Sequence, residues 1–347
     1  MRTALRSWLA PALPAALFVS LAAPALAQDQ PTVQKDSIVV KLQSFDTTSR
    51  NGVRRSGTPP AWLPRIKFRV NGPIASGSQL YVQFSLPTDK NWIRFDCTTN
   101  EREQGKWLET ECGNEVSEDK NTSTVGLVPF SIKLRNELQG TDSTLFTGKV
   151  KVIKVQPNPK NPSDWEFFAD EDWRIPIGYV SSATNEGFGS NPFLHVRFWY
   201  RGNPPDIEAH LFYQGKDIAK CSRPGNSASD WRPNMYQWGM CDCQFDGVYP
   251  GAMPQDMAYD PKFELTKNPG DYEVKVLIVN HLARSLKFTV NADGSFDNGI
   301  ATANHLGADR VIVPVQVIGN QTTNWDRSAW KTGAFYGNPL TGFTAVP

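Results

Sequence analysis

The chain has 347 residues, with 36 Lys and Arg against 35 Asp and Glu and a formal net charge of +1. So even a balance gives no sign of a nucleic-acid partner, which would want a clustered basic face, and none is expected. At 39% hydrophobic residues, the length suits two domains rather than one.

Residues 1–27 combine Arg2 and Arg6, an apolar stretch from about Leu9 to Ala22, and the A-x-A sequence Ala25-Leu26-Ala27. That pattern predicts a cleaved export signal, with an uncleaved anchor as the alternative. The run is short for a bilayer span and carries Pro11 and Pro14, and no later stretch is apolar enough to cross. Export to the periplasm, cell surface or medium is therefore expected, where disulfides are chemically permitted.

Short alternating runs separated by Gly, Pro, Asn and Asp then dominate. Residues 65–70 (RIKFRV), 79–86 (QLYVQFSL), 128–134 (VPFSIKL) and 148–155 (GKVKVIKV) each read as a strand with one buried and one solvated face. A similar order recurs later in the chain. Trp62 with RIKFRV parallels Trp173 with RIPIGYV, LYVQF parallels LHVRF, and the run to Cys97 parallels the run to Cys221. GKWLETEC, VPFSIKL, GKVKVIKV and WEFFAD likewise have counterparts in QWGMCDC, DPKFELT, DYEVKVLIV and SLKFTV. Seven segments in one order predict an internal duplication.

The second copy contains NPGDYEVKV at residues 268–276, where Pro-Gly-Asp-Tyr enters an alternating strand. This stretch resembles the tyrosine corner of immunoglobulin-like and fibronectin-III-like sandwiches, which implies that the Tyr272 hydroxyl bonds back to upstream backbone. The position two after Tyr272 is Val274 rather than cysteine, so an antibody-type inter-sheet disulfide is not implied. The expected architecture is all-β: two tandem immunoglobulin-like antiparallel sandwiches at residues 37–170 and 171–319. GFGSNP and QPNPKNPSD read as loops, residues 300–306 as a short helix, and RVIVPVQV as the last strand. Residues 320–347 form an aromatic tail, expected to dock on the second domain or bind a neighbour.

Catalytic signatures are absent: no G-x-S-x-G, H-E-x-x-H, G-x-x-x-x-G-K-[ST] or G-x-G-x-x-G occurs. The four histidines, His195, His210, His281 and His305, are not at metal-ligand spacing. Asp170 and Asp172 form the one acid/base pair worth naming, and residues 169–172 offer three carboxylates to calcium without the fixed spacing of a calcium loop. Neither reading rises above a solvated charge run. No catalytic residue, metal or cofactor is assigned.

The sulfur is concentrated. In each copy a Trp precedes a Cys by five residues, Trp107 before Cys112 and Trp238 before Cys243. One disulfide per copy is expected, Cys97–Cys112 and Cys221–Cys243, with Cys241 as the free thiol or as an alternative partner for Cys221. Three readings stay open for Cys241 and the methionines: gap-filling under a loop, a recognition surface, or a Cu(I) site on Met235, Met240 and Cys241. Trp231 and Tyr236 have no counterparts in the first copy and suit stacking on a sugar. The expected function is non-enzymatic binding or assembly at the cell envelope. Its partner would be a protein or glycan, met through residues 223–261 with Trp231, Met235, Tyr236, Met240 and Tyr249 as contacts. The alternative is a secreted hydrolase, acting on carbohydrate or another substrate, with an acidic site at the domain junction.

Overall fold

In a computed structural model, residues 31–45, 61–102, 107–113, 120–156, 165–181, 193–201, 206–221, 225–228, 238–245, 247–249, 263–296, 300, 303–304, 310–319 and 325–346 are described. The signal expected at residues 1–27 and both Gly/Pro loops at their centres lie outside them. The architecture is all-β. Alternation places Ile66, Phe68 and Val70 inward with Lys67 exposed between them, and buries Val128, Phe130 and Ile132 while Leu127 and Pro129 face out.

The first sheet holds β1 (Thr32–Phe45), β2 (Ala61–Asn71), β3 (Ser78–Phe84), β4 (Ile93–Arg102), β5 (Trp107–Cys112), β6 (Gly126–Asn136), β7 (Thr141–Val155) and β8 (Glu166–Ala169). Its order is β1-β2-β5-β4-β3-β6-β7-β8. Strand β4 pairs with β3 through Ile93–Asp96 and with β5 through Cys97–Arg102, so it passes from one layer to the other. The sheet bends there, and β1 packs against β8. Trp62, Phe68, Phe84 and Phe130 fill the core so enclosed. Cys97 and Cys112 stand directly opposite on β4 and β5 and form the expected disulfide, with Cα atoms 4.4 Å apart.

The second sheet holds β9 (Ile177–Ser181), β10 (Leu194–Arg201), β11 (Ile207–Tyr213), β12 (Lys216–Cys221), β13 (Gly225–Ala228), β14 (Trp238–Phe245), β17 (Gly270–Ile278), β18 (His281–Val290) and β19 (Arg310–Val317). Two-residue strands β15 (Val248–Tyr249) and β16 (Phe263–Glu264) pair in parallel beside it. The order is β12-β11-β17-β18-β19-β9-β10-β14-β13. Strand β19 joins the halves, pairing β18 at Val315–Val317 and β9 at Arg310–Pro314. The Tyr272 hydroxyl donates to the Asn268 carbonyl at 2.5 Å, the back-bond that the NPGDYEVKV stretch implies.

The strand orders correct the expected duplication. In the first sheet β4 and β5 are neighbours, whereas their sequence counterparts β12 and β14 stand near opposite ends of the second. Strands β2 and β3 are separated by two others, while their counterparts β9 and β10 pair directly. Similar alternation is what any half-buried strand shows, so local resemblance did not carry topology.

The tail is a second correction. Ala334, Phe335, Tyr336, Leu340 and Phe343 pack mainly into the core of the first sheet, and meet the expected second domain only at its edge, through Trp173. Phe335 lies 5.0 Å from Trp173, and Tyr336 lies 5.7 Å edge-on from Phe130. Phe335 and Tyr336 hold positive φ, which turns both rings inward from a single helical turn at Ala334–Gly337.

Candidate functional site

Where the first sheet ends, three successive acidic residues lead into the 3-10 turn Asp172–Arg174. Each carboxylate finds a different cation. Asp170 Oδ2 meets the Lys151 ammonium at 2.9 Å. Glu171 accepts from Arg174 Nε at 2.8 Å and from the Tyr336 hydroxyl at 2.5 Å. Asp172 accepts from Arg201 Nη1 at 3.1 Å and from the Asp326 backbone N–H at 2.7 Å. The carboxylates diverge, and no group of three metal-type side chains occurs among the described residues. A calcium site is not assembled from them.

Arg174 is the hub. Its guanidinium also donates to the Ile38 carbonyl at 3.2 Å and lies over Trp173 and Trp199, 4.4 and 4.5 Å from their centroids. Burial works against its charge, but Glu171, Tyr336 and Tyr179 together outweigh that and the pKa is raised. Tyr336 is pushed up by burial and by the Glu171 charge. This buried knot joins β1, the 3-10 turn, β10 and the tail, so the walls beside it are rigidly set.

A groove of about 850 Å³ opens against that knot. Its floor is the outer face of β6 and β7, where Leu127 pairs across from Lys151, Pro129 from Lys149 and Ser131 from Thr147. One wall is Asp170–Trp173, and the other is the tail from Asp326 to Asn338. Leu127 is 60% exposed there. Asp172 has a raised pKa, first from burial, with the Asp326 N–H and Arg201 opposing. The Asp170 side chain is only 7% exposed, and its Oδ1 accepts no hydrogen bond. That oxygen has almost no accessible surface, so it lies behind the groove wall rather than facing into the groove.

A second cavity, of about 410 Å³, lies between β1, β2 and the outer face of β9, β10 and β14. Tyr179, Arg197, Trp199 and Met240 line it from the second sheet. Nearby, Asp242 accepts from Arg197 Nε at 2.9 Å and meets His195 Nδ1 at 3.3 Å. Burial opposes the Asp242 charge, but His195 and Arg197 outweigh it and lower its pKa.

The sequence-derived contacts scatter. Trp231, Met235 and Tyr236 lie outside the described residues, as do the side chains of Trp107 and Trp238 and most of residues 223–261. Tyr249 is 1% exposed and packs 5.4 Å from Phe193, so its ring offers no contact surface. Met240 lines the smaller cavity, while its neighbour Cys241 points into the core of the second sheet. Successive strand residues face opposite ways, so Met240 and Cys241 cannot share a copper ion. Cys221, Cys241 and Cys243 are all buried and form no disulfide, so the expected Cys221–Cys243 bridge is not closed, although Cys221 and Cys243 are in contact. Cys241 and Cys243 Sγ lie 3.9 Å apart on one face of β14. For Cys243, the Cys221 contact lowers the pKa, but Cys241, burial and Asp242 together push the thiol up.

The groove itself was visible in sequence only as the Asp170/Asp172 pair. Lys151, Leu127 and Asp326 carried no signal, because strand pairing and tail docking bring them there. Comparisons with known proteins add little. No family model matches the chain, and no curated protein matches it. Among solved structures it is similar to one described as a biofilm-associated protein, BSP domain, at 7% identity over 86% of this chain and 61% of that one. The TM-score is 0.17, a superposition too loose to transfer anything, and the chain spans less than two thirds of that protein's length. Among the described residues no helix is long and apolar enough to cross a membrane.

Proposed function

We propose that the protein is an exported, non-enzymatic binding protein whose ligand seat is the groove between the β6–β7 face and the tail. Export rests on the Arg2/Arg6 and A-x-A pattern of residues 1–27. The second sheet is read as an immunoglobulin-like sandwich on the strength of the Tyr272–Asn268 bond. Binding rests on one observation above the others: a cavity of about 850 Å³, sized for a ligand, is floored by exposed Leu127 and Pro129 and walled by a tail that the Tyr336–Glu171 bond holds in place. Residues 223–261 remain a further contact surface on their aromatic and Met content.

The test is a photo-crosslinking amino acid at Leu127, with the exposed Leu138 as control, followed by irradiation at the host envelope. Capture of one partner from position 127 and not from 138 supports the groove. Equal labelling from both positions, or none, removes it.

A second reading has its own observation. Two carboxylates, Asp170 and Asp172, line one open groove, and the Asp172 carboxyl has a raised pKa as a general acid would. Both Asp172 oxygens are already held, by Arg201 and the Asp326 N–H, which favours a positioning role over proton transfer. Release of reducing sugar that is abolished by Asp172→Asn would establish the hydrolase instead.

A further inference from the structure

We propose that Cys221 and Cys243 are an exchangeable redox pair, whose disulfide clasps the open seam of the second sheet and whose release runs through Cys241. Strand β12 stands at one end of that sheet's order and β14 next to the other end, yet β12 packs against β14. The sheet therefore curls until its ends meet, and among the described residues no hydrogen-bonded ladder joins them. Cys221 and Cys243 touch across this seam, inside one core. The structure holds the open state, with three thiols and no bond between them.

The third sulfur sets this pair apart from a static bridge. Cys241 and Cys243 share a face of β14, with Sγ atoms 3.9 Å apart. A bond between them would span two strand steps, about 6.6–6.8 Å between Cα atoms, at the far limit of disulfide geometry. Cys221 is thus the partner Cys243 keeps, and Cys241 stays beside the bond as a thiol within reach of it. The Cys97–Cys112 bond has no such neighbour. Its strands β4 and β5 are each paired on both sides, and the other three cysteines all lie in the second core.

Closure consumes an external disulfide. One protein thiolate attacks it and expels a thiol, and the second attacks the mixed disulfide and expels the other. The protein loses two protons and two electrons, and the external disulfide becomes two thiols. Release reverses this through Cys241. Its sulfur attacks Cys243 Sγ, Cys221 leaves as the thiolate, and an external thiol reduces the strained Cys241–Cys243 bond while becoming a disulfide itself. Cys221 is 5% exposed and the β14 sulfurs less, so exchange begins when β12 leaves the seam. That strand pairs with β11 alone, through a ladder interrupted between Leu211 and Phe212. The Cys221 contact lowers the Cys243 pKa, but Cys241, burial and Asp242 hold the thiol high, so the closed core reacts slowly.

The experiment starts from full-length protein with the three thiols reduced and Cys97–Cys112 intact. It is equilibrated in glutathione buffers of stepwise redox poise, alkylated in denaturant, and read by intact mass and peptide mapping. The expected result is a fall from three alkylated thiols to one in a single step, with Cys221 mapped to Cys243. Glutathione should reverse it at a poise where Cys97–Cys112 persists. Cys221→Ala should keep both remaining thiols at every poise. Cys241→Ala should close the same bond, but its reduction should slow about tenfold or more, as loss of an intramolecular nucleophile does. Three thiols in the most oxidising buffer, or a mapped Cys241–Cys243 bond as the end state, overturns the clasp without recourse to any variant. A Cys221–Cys243 bond as resistant as Cys97–Cys112, or reduced equally fast in Cys241→Ala, makes it an ordinary bridge and overturns the exchange.

Discussion

The Tyr336 hydroxyl donates to the Glu171 carboxylate at 2.5 Å, across 165 positions of sequence. Through that one contact the tail is tied to the segment linking the two sheets. The same oxygen accepts from the Val40 N–H at 2.8 Å, so β1 is held as well. The groove has a fixed wall because of this arrangement.

Tyr336→Phe keeps the ring against Phe130 and Trp173 but leaves Glu171 and the Val40 N–H short of a partner. A loss of about 1–3 kcal/mol is expected, read from the urea midpoint at unchanged slope. Arg174→Met should cost more, about 3–5 kcal/mol, because Glu171 would be left buried and uncompensated. Equal, small effects from both would mean that the knot is wetter than described.

Asp242 gives a pH signature. Its folded-state pKa is lowered, since the His195 and Arg197 contacts outweigh burial. Its contribution is therefore complete above the unfolded carboxylate value, about 3.9, and is lost as pH falls through the folded value. Stability curves of the protein and of Asp242→Asn should converge below about pH 4. Curves that stay parallel on acidification would remove the ion pair from the account.

The thiols can be counted. With Cys97 and Cys112 bonded, Cys221, Cys241 and Cys243 are buried thiols outside any disulfide. The folded protein should resist iodoacetamide, and the unfolded, unreduced protein should take up three equivalents by intact mass. One equivalent would show that Cys221 has closed on a β14 sulfur.

Gly239 lies under the Tyr200 ring, where an added Cβ would stand 2.2 Å from the ring carbon Cζ. Tyr200 is buried and cannot move aside cheaply. Gly239→Ala should destabilise by about 1–3 kcal/mol, as overpacking does, and a thermal melt reads it. An unchanged melting temperature would mean that β13 and β14 shift readily.

Strand content was legible because alternation is a local property: RIKFRV and VPFSIKL state their own buried faces. The Cys97–Cys112 bridge was legible too, since its cysteines flank consecutive strands that pair. The second pair is brought together as well, Cys221 touching Cys243 although β12 and β14 are not neighbours in the sheet order, but no bond closes between them. Period two alone separates Met240 from Cys241. The acidic run at residues 170–172 was legible, yet only the fold assigns each carboxylate its cation. The docking of Tyr336 beneath Phe130 had no sequence signal beyond the tail's aromatic content.

The most direct test is a crystal structure of the full-length protein with the partner captured by crosslinking at position 127. The account predicts partner density in the groove, packed against Leu127. Density confined to residues 223–261 or to the smaller cavity at Met240, with the groove empty, would contradict it.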